Sequence, residues 1–295
     1  MMKNNLTFPL GIIDIGSNSV RLLITNGVFF EKKLITTRLI ENKSENGNLN
    51  LNSVYKTVQA VNDLMKEAKE RGVKIFYAFA TEAVRSASNK NYFLELVKSV
   101  TGLTVEVLSG EREAEIGLLG ANLGSDGSII DIGGASTEIA VSKNKNIVYK
   151  KSVKIGAVDL FQRKFESVEE LKNYTDNIVK DFAGAPVFSV KAIGGTATAL
   201  SAIDLNLKVY DPALTDGHYL TAESLENICK ELFSKTPEEI FNTYAVTKTR
   251  AEVISGGAYI LKSILKRLNL DGVTVSEKDN LEGYFYKISE GYENE

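Results

Sequence analysis

The chain has 295 residues, of which 43% are hydrophobic and 25% charged, and its formal net charge at pH 7 is -3. This length favours two domains, and this composition is typical of a globular protein with a large core and excludes disorder over most of the chain. Because there is no global basic surface to hold nucleic acid or an anionic membrane, any anionic substrate must be bound by local features.

Several kinds of site are excluded by residue type. The only cysteine, Cys229, cannot form an intramolecular disulfide or a thiolate zinc site, and the only histidine, His218, excludes histidine-rich metal centres. The glycine patterns of serine hydrolases, P-loop proteins and dinucleotide-binding proteins are absent. We find no secretory signal and no apolar stretch of ~20 residues, so we expect a cytoplasmic protein.

The first half of the chain predicts a β-meander followed by alternating helices and strands. A buried strand ends at a tight polar turn, residues 16–18, and Asn26-Gly27 is typical of a two-residue hairpin. Apolar residues at helical spacing run from Val54 to Ala68, with Gly72 as a natural C-cap. The predicted strands are residues 10–15, 20–25, 28–34, 75–80 and 105–108, and a second helix is predicted over residues 92–100.

The second half repeats this opening. Strands are predicted over residues 128–132, 137–141, 147–153 and 188–193, and a helix follows the last of them. Ser167 with Glu170, and Thr236 with Glu239, have the spacing of capping boxes at helix starts. Because both halves begin with a meander whose turn starts Asp-Ile-Gly, we predict an internally duplicated α/β architecture with a cleft between the halves.

Both meanders place an aspartate at a strand end, Asp14 in the first and Asp131 in the second, directly before small and hydroxyl residues. Glycine lets backbone N–H groups approach phosphate oxygens, serine and threonine add donors, and an aspartate can hold hydrated Mg²⁺. One such turn is more often an ordinary hairpin, whereas two in matching contexts predict phosphate binding. The predicted phosphate-binding residues are Ser17, Asn18 and Ser19 in the first turn and Gly133, Gly134, Ser136 and Thr137 in the second.

A third glycine-rich junction follows the strand at residues 188–193, where Gly194, Gly195 and Thr196 open a helix. The N–H groups and the dipole of such a helix start suit an anion or the edge of a nucleotide. Tight packing between a strand and a helix also favours glycine, so this junction alone is a weak signal of binding.

Eight segments in order along nearly the whole chain carry a family resemblance. They are residues 11–21, 81–85, 109–114, 131–138, 194–196, 210–212, 217–221 and 250–254. They resemble the Ppx/GppA family, the exopolyphosphatases and guanosine pentaphosphate phosphohydrolases of the actin, sugar kinase and chaperone ATPase superfamily. The resemblance implies two ribonuclease-H-like domains of the actin-like ATPase type, here residues 1–117 with 284–295, and residues 118–283.

The resemblance identifies Glu113 as the catalytic glutamate, and helical spacing agrees with a separate role for it. Glu111 and Glu115 share one face of the helix predicted to begin near residue 110, whereas Glu113 projects to the other side. Gly117 and Gly120 follow on that other side without bulk, which leaves room for a substrate or a close backbone approach. A solvated helix carboxylate is the simpler alternative. As a general base, Glu113 would take a proton from the attacking water.

Three arginines match arginines of the family. Arg21 follows the first turn, where the resemblance makes it a phosphate clamp, and Arg85 and Arg250 are the others. A planar guanidinium binds phosphate oxygens at two points and does not lose its charge. A surface arginine beside an acidic partner is the alternative, and it is stronger for Arg250 than for Arg21.

The chain departs from the family pattern at several positions. Ala135 stands where the family usually has a third glycine, which predicts a negative φ and a less open turn. Asp216 and Glu252 replace a common histidine and a frequent aspartate, and Leu281 replaces the arginine of a leucine-arginine-glutamate-glycine run. These departures weaken inference about the substrate more than about the fold. We expect His218 to be a hydrogen-bonded structural residue.

The function expected from the resemblance is metal-dependent release of terminal orthophosphate from polyphosphate, guanosine pentaphosphate or both. Asp14, Asp131 and Glu138 are the candidate ligands of Mg²⁺ or another divalent cation. The expected partners are polyphosphate or guanosine pentaphosphate or tetraphosphate, with no nucleic acid and no membrane, and a homodimer is among the oligomeric states left open. A non-catalytic sensor of guanosine tetraphosphate or polyphosphate is one alternative, and a phosphotransferase of the same superfamily is the other.

Overall fold

A computed structural model describes residues 6–163 and 165–290. The chain divides into two compact units: unit 1 is Met1–Glu113 with Leu281–Glu295, and unit 2 is Ala114–Asn280. The sequence predicts these boundaries after residues 117 and 283 instead. Both boundaries in the structure fall inside helices, Gly110–Asn122 and Asn280–Glu290. A helical pattern that continues past a boundary gives no local signal of it.

Unit 1 is built on one mixed sheet. Its strands are β1 (Leu10–Ile15), β2 (Ser19–Thr25), β3 (Phe30–Thr36), β4 (Ile75–Ala80) and β5 (Glu106–Val107). The strand order is β3-β2-β1-β4-β5, with the first three antiparallel and the last two parallel to β1. Every residue of β1 is buried, as expected for a central strand with a continuous apolar sequence.

The helices of unit 1 come from both ends of the chain. They are α1 (Leu51–Glu70), α2 (Glu82–Arg85), α3 (Lys90–Thr101), the start of α4 (Gly110–Asn122), and α12 (Asn280–Glu290). Tyr284 and Lys287 of α12 donate to Glu106 of β5 at 2.7 and 2.9 Å. Burial raises the pKa of Glu106, but the hydrogen bonds from Lys287 and Tyr284 lower it more, so that it lies below its ordinary value.

Unit 2 repeats the meander and the parallel fourth strand. Its strands are β6 (Gly127–Ile132), β7 (Thr137–Lys143), β8 (Asn146–Val153), β9 (Val190–Ile193), β10 (Tyr219–Thr221) and β11 (Gly272–Val275). The strand order is β10-β11-β9-β6-β7-β8. The antiparallel meander is β6-β7-β8, and β9 is parallel to β6 as β4 is to β1. The predicted internal duplication therefore extends to the strand order.

Most helices of unit 2 contribute to one apolar cluster with its sheet. The helices of this unit are α5 (Ala157–Arg163), α6 (Val168–Val179), a 3₁₀ turn (Lys180–Phe182), α7 (Gly194–Asp204), α8 (Pro212–Thr215), α9 (Ala222–Phe233), α10 (Pro237–Thr243) and α11 (Lys248–Leu268). A face of α4 packs on this sheet, where Ala114 and Leu118 belong to one apolar cluster with Ile129 and Ile193. No helix within the described residues combines the length and apolarity that a membrane span needs.

The predicted two-residue hairpin at Asn26-Gly27 is wrong. Thr25 pairs with Phe30, so four residues connect β2 and β3 and the return strand begins two residues later than predicted. The side-chain oxygen of Asn26 accepts from the N–H groups of Val28 and Phe29 at 3.1 and 2.8 Å. An asparagine that bonds the following backbone in this way stabilises a wider turn.

The two predicted capping boxes differ in the structure. Thr236 and Glu239 form both reciprocal bonds, which confirms that prediction. Ser167 accepts from Glu170 N–H at 3.1 Å, but the side chain of Glu170 accepts from Glu166 instead. Only half of the box at Ser167 is therefore formed.

Candidate active site

The two Asp-Ile-Gly turns have the same backbone hydrogen bond. Gly16 N–H donates to Ser19 O at 3.0 Å in unit 1, and Gly133 N–H donates to Ser136 O at 2.9 Å in unit 2. The duplication predicted from sequence therefore includes the conformation of the turns that were assigned to phosphate.

In unit 1 the carbonyl oxygens of the turn are held by the loop at residues 37–40. Ser17 O accepts from Ile40 N–H at 3.2 Å, and Asn18 O accepts from the N–H groups of Thr37 and Arg38 at 3.0 and 2.9 Å. These bonds compensate the partial negative charge of the two carbonyls. These bonds from the loop at residues 37–40 consequently fix the turn that carries Ser17, Asn18 and Ser19.

Asp14 and Arg21 form an ion pair beside this turn. They lie opposite each other on β1 and β2, which puts both side chains on one face of the sheet. Asp14 is 3% exposed, and its Oδ2 accepts from Nε and Nη2 of Arg21 at 2.8 and 2.5 Å. The sequence predicts Asp14 as a metal ligand. In the structure its carboxylate binds Arg21 and fixes the direction of that side chain.

Glu113 is buried although it lies in the first turn of α4. Its exposure is 7%, whereas Glu111 is exposed, which agrees with the two faces expected from helical spacing. Nη1 of Arg85 donates to Glu113 Oε2 at 3.2 Å and to Leu108 O at 2.6 Å. A carboxylate held in this way has a defined orientation and little contact with bulk water.

Arg85 also forms an ion pair with a second carboxylate, that of Glu82. Nε and Nη2 of Arg85 lie 2.9 and 2.6 Å from Glu82 Oε2. Burial lowers the pKa of Arg85, but the carboxylates of Glu113 and Glu82 raise it more, so that it lies above its ordinary value. The sequence predicts Arg85 as a phosphate-binding residue, and this stays a prediction; in the structure its guanidinium orients Glu113.

In unit 2 the start of α5 closes over the second turn. The carbonyl oxygens of Gly133 and Gly134 accept N–H bonds of 2.9 to 3.0 Å from the first residues of α5. Gly156 permits this approach, because a Cβ there would overlap the peptide between Gly134 and Ala135. Ala135 is not among the residues with positive φ. This agrees with the negative φ predicted for it, because alanine, unlike the glycine usual at this position, disfavours positive φ.

The carboxylate of Asp131 is held at the end of β6. Its Oδ2 accepts from Asn280 Nδ2 at 2.9 Å, and both residues are buried. Its Oδ1 occupies the space that a side chain on Gly194 would need, at 2.7 Å from the position of a Cβ. Gly194 also has a φ of +79°, so glycine is required there by both conformation and space.

Glu138 lies directly opposite Asp131 on β7, and Ser152 donates to Glu138 Oε1 at 2.7 Å. Two buried carboxylates on one face repel each other unless a cation or a donor compensates them. Mg²⁺ takes one or two protein carboxylates and completes its shell with water and substrate oxygens. This donor set therefore fits Mg²⁺, although no group of three or more potential ligands occurs among residues 6–163 and 165–290.

Arg250 lies over the first turn of α7. A Cβ on Gly195 would lie 3.1 Å from Cζ of Arg250 and closer still to Nη2, so only glycine leaves room for the guanidinium. The N-cap residue of α7, Ile193, makes no side-chain capping bond. The backbone N–H groups and the dipole of a helix start, with an arginine beside them, suit an anion. The structure thus brings together the predicted residues Gly194, Gly195 and Arg250.

Two predicted phosphate ligands use their hydroxyl groups for internal bonds. Thr137 is fully buried and donates to Ile155 O at 2.6 Å. Thr196 is 1% exposed and donates to Ile132 O at 2.9 Å. These hydroxyl groups therefore hold the second turn and the start of α7 in place, and the predicted phosphate-binding role of both residues stays a prediction.

His218 has the structural role that the sequence predicts. Its Nε2 lies 2.7 Å from Asp204 Oδ2. Asp216, which replaces a histidine common in similar sequences, accepts from Glu277 N–H at 2.9 Å.

The sequence profile of the Ppx/GppA phosphatase family matches residues 25–291. The chain belongs to this family. It is 27% identical to exopolyphosphatase 2 of Mycobacterium tuberculosis, over 92% of this chain and 95% of that protein. It is 28% identical to the guanosine-5'-triphosphate,3'-diphosphate pyrophosphatase of Photobacterium profundum, over 97% of this chain and 61% of that protein.

A further relative is longer than this chain. The bifunctional 3-dehydroquinate synthase/phosphatase of Fusobacterium nucleatum is 30% identical over 99% of this chain, which spans 47% of that protein. This chain therefore spans about half the length of that relative.

Solved structures of the Ppx/GppA family have the same fold. The Aquifex aeolicus family member aligns with a TM-score of 0.79 and 28% identity, over 97% of this chain and 99% of that chain. An exopolyphosphatase from Cytophaga hutchinsonii aligns with a TM-score of 0.85 and 23% identity, over 96% and 98% of the two chains. The predicted fold class, two ribonuclease-H-like α/β domains of the actin-like type, is confirmed.

Three residues of the site were missed by the sequence reasoning. Glu82 lies three residues before Arg85, a spacing that predicts an ion pair on a helix. The sequence does not predict this helix, because α2 has only four residues and shows no helical periodicity. Asn280 and Gly156 had no local signal, because each acts on a segment distant in sequence.

Proposed function

We propose that this chain hydrolyses terminal phosphoanhydride bonds and releases orthophosphate, with Glu113 as the general base. The observation that carries the proposal is the buried Glu113 carboxylate, oriented by Arg85 in the first turn of α4. The names of the Mycobacterium and Photobacterium relatives support polyphosphate and guanosine pentaphosphate as the substrate class.

In the proposed reaction a water oxygen attacks the terminal phosphorus and the bond from that phosphorus to the bridging oxygen breaks. Glu113 accepts a proton from the water as it attacks, and the bridging oxygen leaves with the electron pair on the shortened chain. Arg85 keeps the carboxylate in position while it gains the proton.

Phosphate groups of the substrate are held by backbone N–H groups and arginine. In unit 2 the α7 start with Gly194 and Gly195 supplies the N–H groups and Arg250 supplies the charge. In unit 1 Arg21, fixed by Asp14 beside the first turn, is the corresponding cation. Because these groups bind phosphates without reacting with them, they contribute affinity more than rate.

Asp131 and Glu138 would hold a divalent cation such as Mg²⁺ through oxygen atoms and water. A bound Mg²⁺ would neutralise charge on the phosphate oxygens during the reaction. The residues of this chain prepare that position: Asn280 orients Asp131 and Ser152 orients Glu138.

Phosphate release from polyphosphates of several lengths and from guanosine pentaphosphate, with and without Mg²⁺, tests the proposal. Glu113→Gln should lower kcat by at least ~10²-fold with little change in KM, since it removes the proton acceptor and keeps the shape. Glu111→Gln is the matched control, because it changes an exposed carboxylate on the same helix and should keep wild-type activity. An equal loss in both variants would refute the assignment.

The same measurements separate the alternative functions. Binding of guanosine tetraphosphate without phosphate release from any substrate would indicate a sensor. ADP formation that depends on a second substrate would indicate a phosphotransferase. We propose a cytoplasmic location, because a single cysteine, Cys229, fits a reducing compartment.

A further inference from the structure

A second carboxylate in the Glu113 cluster is not explained by phosphate binding. Glu82 is 6% exposed, and a carboxylate removed from water to this extent is unstable unless it is paired. Its partner is Arg85, which is also the partner of Glu113. One guanidinium therefore joins two buried carboxylates.

The two carboxylates contact different edges of the guanidinium. Glu82 takes the edge formed by Nε and Nη2, at 2.9 and 2.6 Å. Nη1, at the other end, donates to Glu113 and to the carbonyl of Leu108. Because the guanidinium is rigid and planar, holding the first edge determines where Nη1 points.

We propose that Glu82 is a positioning residue that acts on Glu113 through Arg85. Glu82 fixes the rotation of the guanidinium, and the guanidinium then fixes the carboxylate that accepts the proton. This inference rests on the proposed role of Glu113 as general base. It assigns to Glu82 an effect on kcat that a salt bridge serving only the stability of α2 would not have.

Kinetics of two Glu82 variants test the inference. Glu82→Gln keeps an acceptor oxygen and should lower kcat roughly tenfold with KM unchanged, and Glu82→Ala, which releases the guanidinium edge, should lower kcat further. Glu106→Gln is the matched control in unit 1, because it removes a carboxylate held by two donors outside the cluster. It should lower the melting temperature and leave kcat unchanged.

A double-mutant cycle shows whether Glu82 works through Arg85. In an Arg85→Ala background, Glu82→Gln should change kcat less than twofold, because the side chain through which it acts is gone. Multiplicative losses in the double variant, or a wild-type kcat for Glu82→Ala, would overturn the inference while the proposed hydrolysis stands.

A measurement without turnover separates this inference from the proposed function. In protein labelled with ¹⁵N-arginine, the Nε–H signal of Arg85, identified by its loss in Arg85→Lys, should exchange with water at least tenfold faster in Glu82→Ala than in the wild type or Glu106→Gln. An unchanged exchange rate would overturn the positioning role even if no substrate is hydrolysed. If exchange is faster in Glu82→Ala but the wild type releases no phosphate, the positioning role stands and the proposed function fails.

Discussion

Replacing Gly195 by alanine should displace Arg250 and weaken phosphate binding without harming the fold. A Cβ at this position would lie 3.1 Å from Cζ of Arg250 and nearer to Nη2. Non-bonded heavy atoms rest roughly 3.5 Å or more apart, so the guanidinium must move by about 1 Å. Gly195 is not among the residues with positive φ, so alanine suits its backbone.

The size of the effect follows from the lost contact. A hydrogen bond to a charged group contributes about 1.5–3 kcal/mol, and about 1.4 kcal/mol corresponds to a tenfold change in Kd. We therefore expect the Kd for a polyanion to rise roughly ten- to hundredfold. Alanine is favoured over glycine in a helix by up to about 1 kcal/mol, so the free energy of unfolding should stay constant or rise.

Calorimetric titration with tripolyphosphate checks this expectation, with Glu113→Gln as the parent so that hydrolysis is slow during the titration. Arg250→Ala gives the full loss expected when the guanidinium is absent, and Gly195→Ala combined with Arg250→Ala should bind no more weakly than Arg250→Ala alone. A parental Kd for Gly195→Ala, when Arg250→Ala has lost affinity, would refute the reasoning. So would a large fall in the melting temperature of Gly195→Ala.

Three other predictions concern charged residues. Asp131→Asn should raise the Mg²⁺ concentration for half-maximal phosphate release and keep the melting temperature, because it relieves a contact between like charges; superimposable Mg²⁺ curves would contradict this. Arg21→Ala should raise KM more than it lowers kcat, and should also lower the melting temperature because buried Asp14 loses a partner; an unchanged KM would exclude a phosphate clamp. The pKa of Glu106 is lowered from 4.5 by Lys287 and Tyr284, so its stabilisation is present above that pH and lost below it. The difference in free energy of unfolding between wild type and Glu106→Gln should therefore shrink as the pH falls below 4.5 and through the lowered pKa of Glu106, and a constant difference would contradict the linkage.

Much of the fold could be predicted because its strands have simple local patterns. The central strands β1 and β6 are apolar runs that end at Asp-Ile-Gly, and both are buried along their length. Predicted strand limits were less accurate where side chains reshape a turn, as Asn26 does before β3. Those bonds depend on the conformation of the loop, which a two-residue motif does not specify.

The candidate site was only partly predictable. The family motifs point to Glu113, Arg250 and the glycines of the three junctions, whose roles stay predictions; the structure shows Glu113 buried and Arg250 against Gly195. The roles of hydroxyl groups were not accessible, because Thr137 and Thr196 sit in the same motifs and yet donate to internal carbonyls. Whether a hydroxyl faces a ligand or the core depends on which segments pack beside it.

The sequence by itself determined the duplicated meanders, the chemistry of their turns and membership of the Ppx/GppA family, because these depend on residue types at short, fixed spacings. Only the tertiary structure decided which charges share a partner. Arg85 joins Glu82 to Glu113, and Asn280 reaches Asp131 across 149 residues of chain. Such pairings depend on the burial of each charge and on the directions in which long side chains leave their helices and strands. Those quantities are set by the packing of segments that are distant in sequence.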